Sequence, residues 1–404
     1  ALTSGKTYTI QPRGADAVPG SVGGPNVQVA LASWTFTADF TAPVATVTTP
    51  VEGQGYNNLP TISGTDADGP TGGGLTNAGM AAVEYAVQRK DTGLWWNGAS
   101  FSAADPPVYL STAPDAGGAG IWRATMTWVS GKTYELRVRG RDGASPANVG
   151  AISTRTFSVD TAAPASSVTY PLNGNPYITI ATISGTAVDD VNTTLVDIQI
   201  ERPGPQRWNG AAWTSTDAWV VAAASNPWSW VASPSPWISA ITYTLRTRGR
   251  DAAANLESPT PLITFSIDNQ AATTQITTPV NGVARSGLAT ISGGISDDFS
   301  KVDKAQVAVA SGPTFGASWN GVGYVAGEVW NDNSTFVGDS SGTWTYTSLS
   351  GAFTSGVQYR VKSRGVDKAL NTEASFVTGT NQNTFLYDAA APVSTVTVPA
   401  PGAL

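Results

Sequence analysis

Tyr243-Thr244-Leu245-Arg246-Thr247-Arg248-Gly249-Arg250-Asp251 is the stretch whose reading decides the fold of this chain. It returns as Tyr134-Glu135-Leu136-Arg137-Val138-Arg139-Gly140-Arg141-Asp142, and looser copies run from Tyr359 to Asp367 and from Tyr8 to Asp16. Each copy keeps the leading Tyr, then Arg-Gly, one further residue and Asp. Tyr134, Leu136 and Val138 alternate with Glu135, Arg137 and Arg139, the period-two pattern of a strand with one buried face. A strand that recurs roughly every 110–125 residues marks an array of modules.

Other marks recur in the same order. A Thr/Val-rich strand closed by proline spans Pro43–Pro50, Pro164–Pro171, Ala272–Pro279 and Pro392–Pro399. Thr-Ile-Ser-Gly stands at Thr61–Gly64, Thr182–Gly185 and Thr290–Gly293, and Trp-Asn-Gly at Trp96–Gly98, Trp208–Gly210 and Trp319–Gly321. A last strand ends at Asp39, Asp160, Asp268 and Asp388. These marks predict modules at 41–161, 162–269 and 270–389. Residues 1–40 are expected to be the C-terminal portion of a preceding module, and 390–404 the first strand of a following one. The expectation is a piece of a longer protein continuing in register on each side.

Short alternating runs separated by Gly, Pro, Asn and Asp, without helix signals, indicate all-β sandwiches. Asn-Gly between aromatic-bearing runs predicts hairpins with both turn positions at positive φ. Leu2, Trp128, Trp237 and Phe353 lie six residues before each strand tyrosine. That spacing predicts a tyrosine corner, in which the phenol hydroxyl bonds nearby backbone.

Composition excludes several classes. The chain has 404 residues, a net charge of −7 and 13% charged residues. An acidic chain with scattered cations lacks the footprint of a nucleic-acid binder. No apolar run reaches the ~18–20 residues of a membrane helix. Without Cys or His there is no disulfide, no thiolate metal site and no imidazole base. Glu84, Glu135, Glu201 and Glu328 fall at non-equivalent positions, so no catalytic dyad is expected and the chain is not read as an enzyme.

The order Asp-(Thr/Ala)-x-Ala-Pro, Thr-Ile-Ser-Gly-Thr-Ala-x-Asp, Tyr-x-Leu-Arg-x-Arg-Gly-x-Asp and Asp251-x-Ala-x-Asn255 resembles bacterial immunoglobulin-like repeats of giant secreted or surface-anchored proteins, of adhesin or fibre type. The resemblance covers essentially the whole chain. It implies tandem immunoglobulin-like, Greek-key sandwiches strung into an extended rod. Asp268-Asn269-Gln270-Ala271-Ala272 lacks the proline, and the loop after Asp142 is longer than the pattern.

In such a sandwich the loop after Thr-Ile-Ser-Gly and the loop after the Tyr strand share the pole that meets the preceding module. This groups Asp160 with Asp189, Asp190, Asp251 and Asn255; Asp39 with Asp66, Asp68 and Asp142; and Asp268 with Asp297, Asp298 and Asp367. Two readings stand. Clustered carboxylates suit calcium, which takes six to eight oxygens. Alternatively, each Asp caps its own loop in an Asx-turn, and Arg248 and Arg250 pair with the acids.

Fourteen tryptophans also admit two readings: core filling across hairpins, or exposed faces that stack on sugars. Trp228, Trp230 and Trp237 exceed the periodic pattern and are the candidates for an exposed binding patch. The expected role is a non-catalytic stalk or fibre segment outside the cell or on its surface. The alternative is an adhesin whose modules bind glycan or a protein. Neighbouring copies of the same protein are the expected partners, with lateral contacts through the Trp228–Trp237 segment and the glycine-rich loops around Gly72–Gly74 and Gly117–Gly120.

Overall fold

The computed structural model describes residues 1–16, 27–69, 75–113, 120–191, 193–223, 226–398 and 402. The glycine-rich stretches 72–74 and 117–119 lie outside the described residues. The chain divides into two compact units: Ala1–Ala165 with Val188–Thr194 and Gly249–Glu257, and Ser166–Ala187 with Leu195–Arg248 and Ser258–Leu404. Among the described residues every regular element is a strand.

The first unit opens with a two-stranded antiparallel sheet, Lys6–Ile10 against Trp34–Ala38. A small sheet follows, ordered Ile121–Thr125, Thr61–Ala67, Val44–Ala45. The large sheet runs Gly55–Tyr56, Ser153–Val159, Lys132–Asp142, Met80–Arg89, Leu94–Trp96, Phe101–Ala103. Ile62 and Trp122 from the small sheet meet Val83, Leu136, Val138 and Phe157 from the large one in a single core. The Thr-Ile-Ser-Gly strand is central in the small sheet. The Tyr strand is central in the large sheet, flanked by Met80–Arg89 and Ser153–Val159.

The same pair of sheets is built twice more. Thr182–Val188 lies between Ala165–Tyr170 and Trp228–Val231, and Ile241–Asp251 lies between Thr193–Arg202 and Ile263–Ile267. Ile291–Ser296 lies between Thr273–Thr278 and Ser341–Tyr346, and Val357–Asp367 lies between Val302–Ser311 and Gln382–Tyr387. The chain is therefore an all-β tandem of immunoglobulin-like sandwiches.

Two local devices account for the recurring residues. Tyr134, Tyr243 and Tyr359 are buried. Their hydroxyls take the backbone N–H of Val129 at 2.9 Å, Ile238 at 2.8 Å and Thr354 at 2.8 Å. Each thus occupies an apolar site while keeping its polar atom satisfied. The glycine of Thr-Ile-Ser-Gly lets a tryptophan lie flat against the strand. A Cβ on Gly185 would sit 2.3 Å from the Trp228 ring, and one on Gly293 would sit 2.6 Å from Trp344.

That packing corrects the expected exposed patch. Trp228 is fully buried and stands where Trp122 and Trp344 stand. Trp237 and Trp230 pack on the same core. The Trp237 indole donates to the Ile180 carbonyl, as Trp128 donates to Leu59. Trp228 is therefore no surface platform, and Trp230 and Trp237 are partly buried against the core rather than fully exposed.

The Asn-Gly turns also differ from expectation. Gly98, Gly210 and Gly321 have φ of 99°, 98° and 95°. Each preceding asparagine keeps ordinary φ and uses its side chain instead. Asn209 Oδ1, for example, accepts the N–H groups of Ala211 and Ala212.

Candidate functional site

Each Tyr strand carries its terminal Asp into the same local frame. Asp142, Asp251 and Asp367 are buried. Asp251 Oδ1 takes the Asn255 N–H at 2.8 Å, and its Oδ2 takes Asn255 Nδ2 at 2.6 Å. Asp367 repeats this with Asn371 at 2.7 Å and 2.7 Å. Asp142 does so with Asn148 at 2.8 Å and 2.6 Å. The same amide then reaches the backbone carbonyl of the Asp that ends the previous last strand. Asn148 Nδ2 lies 3.2 Å from Asp39 O, Asn255 Nδ2 2.8 Å from Asp160 O, and Asn371 Nδ2 2.8 Å from Asp268 O. One asparagine therefore ties three backbone segments together.

Around this tie the acids converge in three groups: Asp39, Asp68 and Asp142; Asp160, Asp189 and Asp251; Asp268, Asp297 and Asp367. In each, one carboxylate oxygen per residue lies within 4.8 Å of the others. Burial pushes Asp160 up to about 6, and the charges of Asp190, Asp251 and Asp189 add to the rise. Burial likewise raises Asp68, helped by Asp39 and Asp142, and raises Asp367, helped by Asp268 and Asp297. Burial opposes the charge of Asp39 too, but bonds from Ala78 N–H, Thr41 N–H and the Ser4 hydroxyl hold that carboxyl below its ordinary value. Like charges this close are costly unless a proton or a cation intervenes.

Buried carboxylate oxygens without a hydrogen-bond partner stand in the first group, at Asp68, and in the third, at Asp297. Asp297 Oδ2 takes the N–H of Lys301 at 2.7 Å and of Phe299 at 3.1 Å. Its Oδ1 is buried without a hydrogen-bond partner, as is Ser300 Oγ. The donor set is oxygen only, which fits a hard divalent cation such as calcium rather than a thiophilic metal.

Several predicted members fall elsewhere. Asp66 is inward-facing, where Ala187 and Ile295 stand in the other repeats, and burial raises its pKa. Asp190 and Asp298 are exposed and outside the groups. One acid of each loop after Thr-Ile-Ser-Gly enters: Asp68, Asp189 and Asp297. Asn255 acts as a donor through Nδ2, not as an oxygen ligand. Arg248 pairs with Asp197 at 3.1 Å rather than with the group.

Asn148 and Asn371 were not singled out from sequence. The signal for Asn371 was present, four residues after Asp367 as Asn255 follows Asp251. Asn148 lies six residues after Asp142, so fixed spacing concealed it.

No protein-family model matches the sequence, and no curated protein matches it. Among solved structures, the chain is similar to one from a study of host cell surface retention of a 1.5-MDa bacterial ice-binding adhesin, at 12% identity and TM-score 0.31. That match covers 86% of this chain and 98% of the other. It is similar to a tetra-tandem repeat in the extending region of a large adhesion protein, at 16% identity and TM-score 0.28, covering 95% and 82%. A third similar structure is the chicken CNTN1 FN1-FN3 domains, at 10% identity and TM-score 0.28, covering 86% and 99%.

Proposed function

We propose that this chain is a non-catalytic structural segment of a large repetitive bacterial protein, forming a stalk or fibre outside the cell or on its surface. In this reading its modules run 41–161, 162–269 and 270–389, flanked by portions of two further modules. The observation that carries it is the threefold Asp–Asn tie. The same two side chains fix the same three backbone segments in each repeat, and repetition of a joint serves extension more directly than recognition.

The acid groups are, on this reading, seats for calcium, which would replace mutual repulsion by shared coordination. Neighbouring copies of the protein are its proposed partners. Electron microscopy of the native source, with antibodies to this segment, tests the proposal. Labelled filaments or stalks are expected. Label confined to soluble, compact particles would overturn it.

A further inference from the structure

Tyr109, Trp219 and Trp330 recur at one place that no sequence pattern above includes. Each immediately precedes a short strand, Leu110–Thr112, Val220–Val221 and Asn331–Asp332, paired to Met80–Arg89, Thr193–Arg202 and Val302–Ser311. Each ring lies over the arginine of an Arg-Gly pair. Arg139 is 3.9 Å from the Tyr109 centroid, Arg248 is 4.0 Å from Trp219, and Arg364 is 4.2 Å from Trp330. A side chain of the adjacent strand holds every one of these guanidinium groups: Glu84 at 2.7 Å, Asp197 at 3.1 Å and Gln306 at 2.8 Å. Ring and cation are thus fixed before any ligand arrives.

The third copy differs in what covers it. Phe376 stacks on Trp330 with centroids 5.5 Å apart and planes 22° apart, and Lys362 lies 4.5 Å from the Phe376 ring. The segment after Asn371 supplies Phe376, whereas its counterparts, residues 149–153 and 256–263, contain no aromatic residue. Among the described residues no ring stacks on Tyr109 or Trp219.

A cation against one side of a ring withdraws electron density and favours an electron-rich ring beside it. The same polarisation disfavours the C–H face of a sugar. We propose that Tyr109 and Trp219 are docking points for an aromatic side chain of a protein partner, in the role that Phe376 fills within the third sandwich. Anchored Trp, Tyr and Arg are also the residues that dominate protein-interface energetics. Trp219 is the stronger point. Arg246 lies 5.6 Å from its ring, and its indole N–H is held by Asp217 at 3.2 Å. This inference does not depend on the stalk reading.

The test is selection of displayed random peptides of about twelve residues against the whole chain. Enriched peptides carry Phe, Tyr or Trp, and their binding falls at least about tenfold on Trp219→Ala but not on Trp219→Phe. Phe376→Ala uncovers Trp330 and adds binding, which the double variant Phe376→Ala/Trp330→Ala loses again. That gain separates the proposal from misfolding of any single variant. Enriched peptides without aromatic residues, equal binding to Trp219→Ala, or Trp219-dependent binding of a glycan array instead of peptides would each overturn it.

Discussion

After Asp142 the chain takes six residues to reach Asn148; after Asp367 it takes four to reach Asn371. Both asparagines nevertheless end with the amide bonded to the Asp carboxylate and to a carbonyl, Asp39 O in one case and Asp268 O in the other. What is kept between the two regions is the place of one amide nitrogen, while loop length and sequence vary around it.

Beyond the asparagine, at the second residue after it, the regions diverge. At the third sandwich, Glu373 Oε2 takes the Thr274 N–H at 3.1 Å, the Thr274 hydroxyl at 2.8 Å and the Gly365 N–H at 3.1 Å. Asn381 Nδ2 bonds the other oxygen at 2.9 Å. At the first, Gly150 occupies that position, and a Cβ there would meet Pro43 O at 1.9 Å. One region locks its first strand with a carboxylate; the other lets the backbones touch.

The largest expected effect tests that contrast. Glu373→Ala leaves several donors without an acceptor and should cost about 3 kcal/mol in urea unfolding, at roughly 1 kcal/mol or more per lost partner. A loss below about 1 kcal/mol would mean that the first strand is held by packing alone, as at Gly150. Next come Asn148→Ala and Asn371→Ala. If both amides do one job, each should destabilise by a similar amount, about 1–3 kcal/mol. A neutral Asn148→Ala beside a costly Asn371→Ala would break the equivalence.

The acid groups should separate by pH in metal-free protein. Asp160 is raised to about 6. Between the ordinary carboxylate range and that pH, the folded protein holds a proton that the unfolded chain has lost. Its contribution to stability therefore grows as pH falls from 7 toward about 4.5. Asp39 is lowered, so its contribution is present above about pH 4 and is lost only as pH falls further. Thermal melting across pH checks the two windows, and Asp160→Asn should remove the first while leaving the second. The smallest effect concerns the turn before each strand tyrosine. Gly131 and Gly356 have φ of 71° and 81°, but Ala240 holds that conformation at 58°. Ala240→Gly should stabilise by up to about 1 kcal/mol; destabilisation would show that the Ala240 methyl packs usefully.

The sandwich order was legible because alternation and turn residues report local backbone geometry directly. Grouping of the acids was legible in outline, since loop topology brings those loops together. Three things were not. Asp66 occupies a position whose partners in the other repeats, Ala187 and Ile295, are apolar, so its polarity misled. Trp228 looked supernumerary because Trp122 and Trp344 lie at different distances from their marks. Tyr109 differs from Trp219 and Trp330 in residue type and in its distance from the Trp-Asn-Gly mark, so the short strand that follows each ring and the arginine beneath it are what relate all three.

Thermal melting of the whole chain, with calcium and then with excess chelator, tests the central claim most directly. If the three acid groups are seats for calcium as proposed, the melting temperature should rise with calcium and fall back when the ion is removed. A melting temperature identical in both conditions would contradict the proposal that these groups hold a cation.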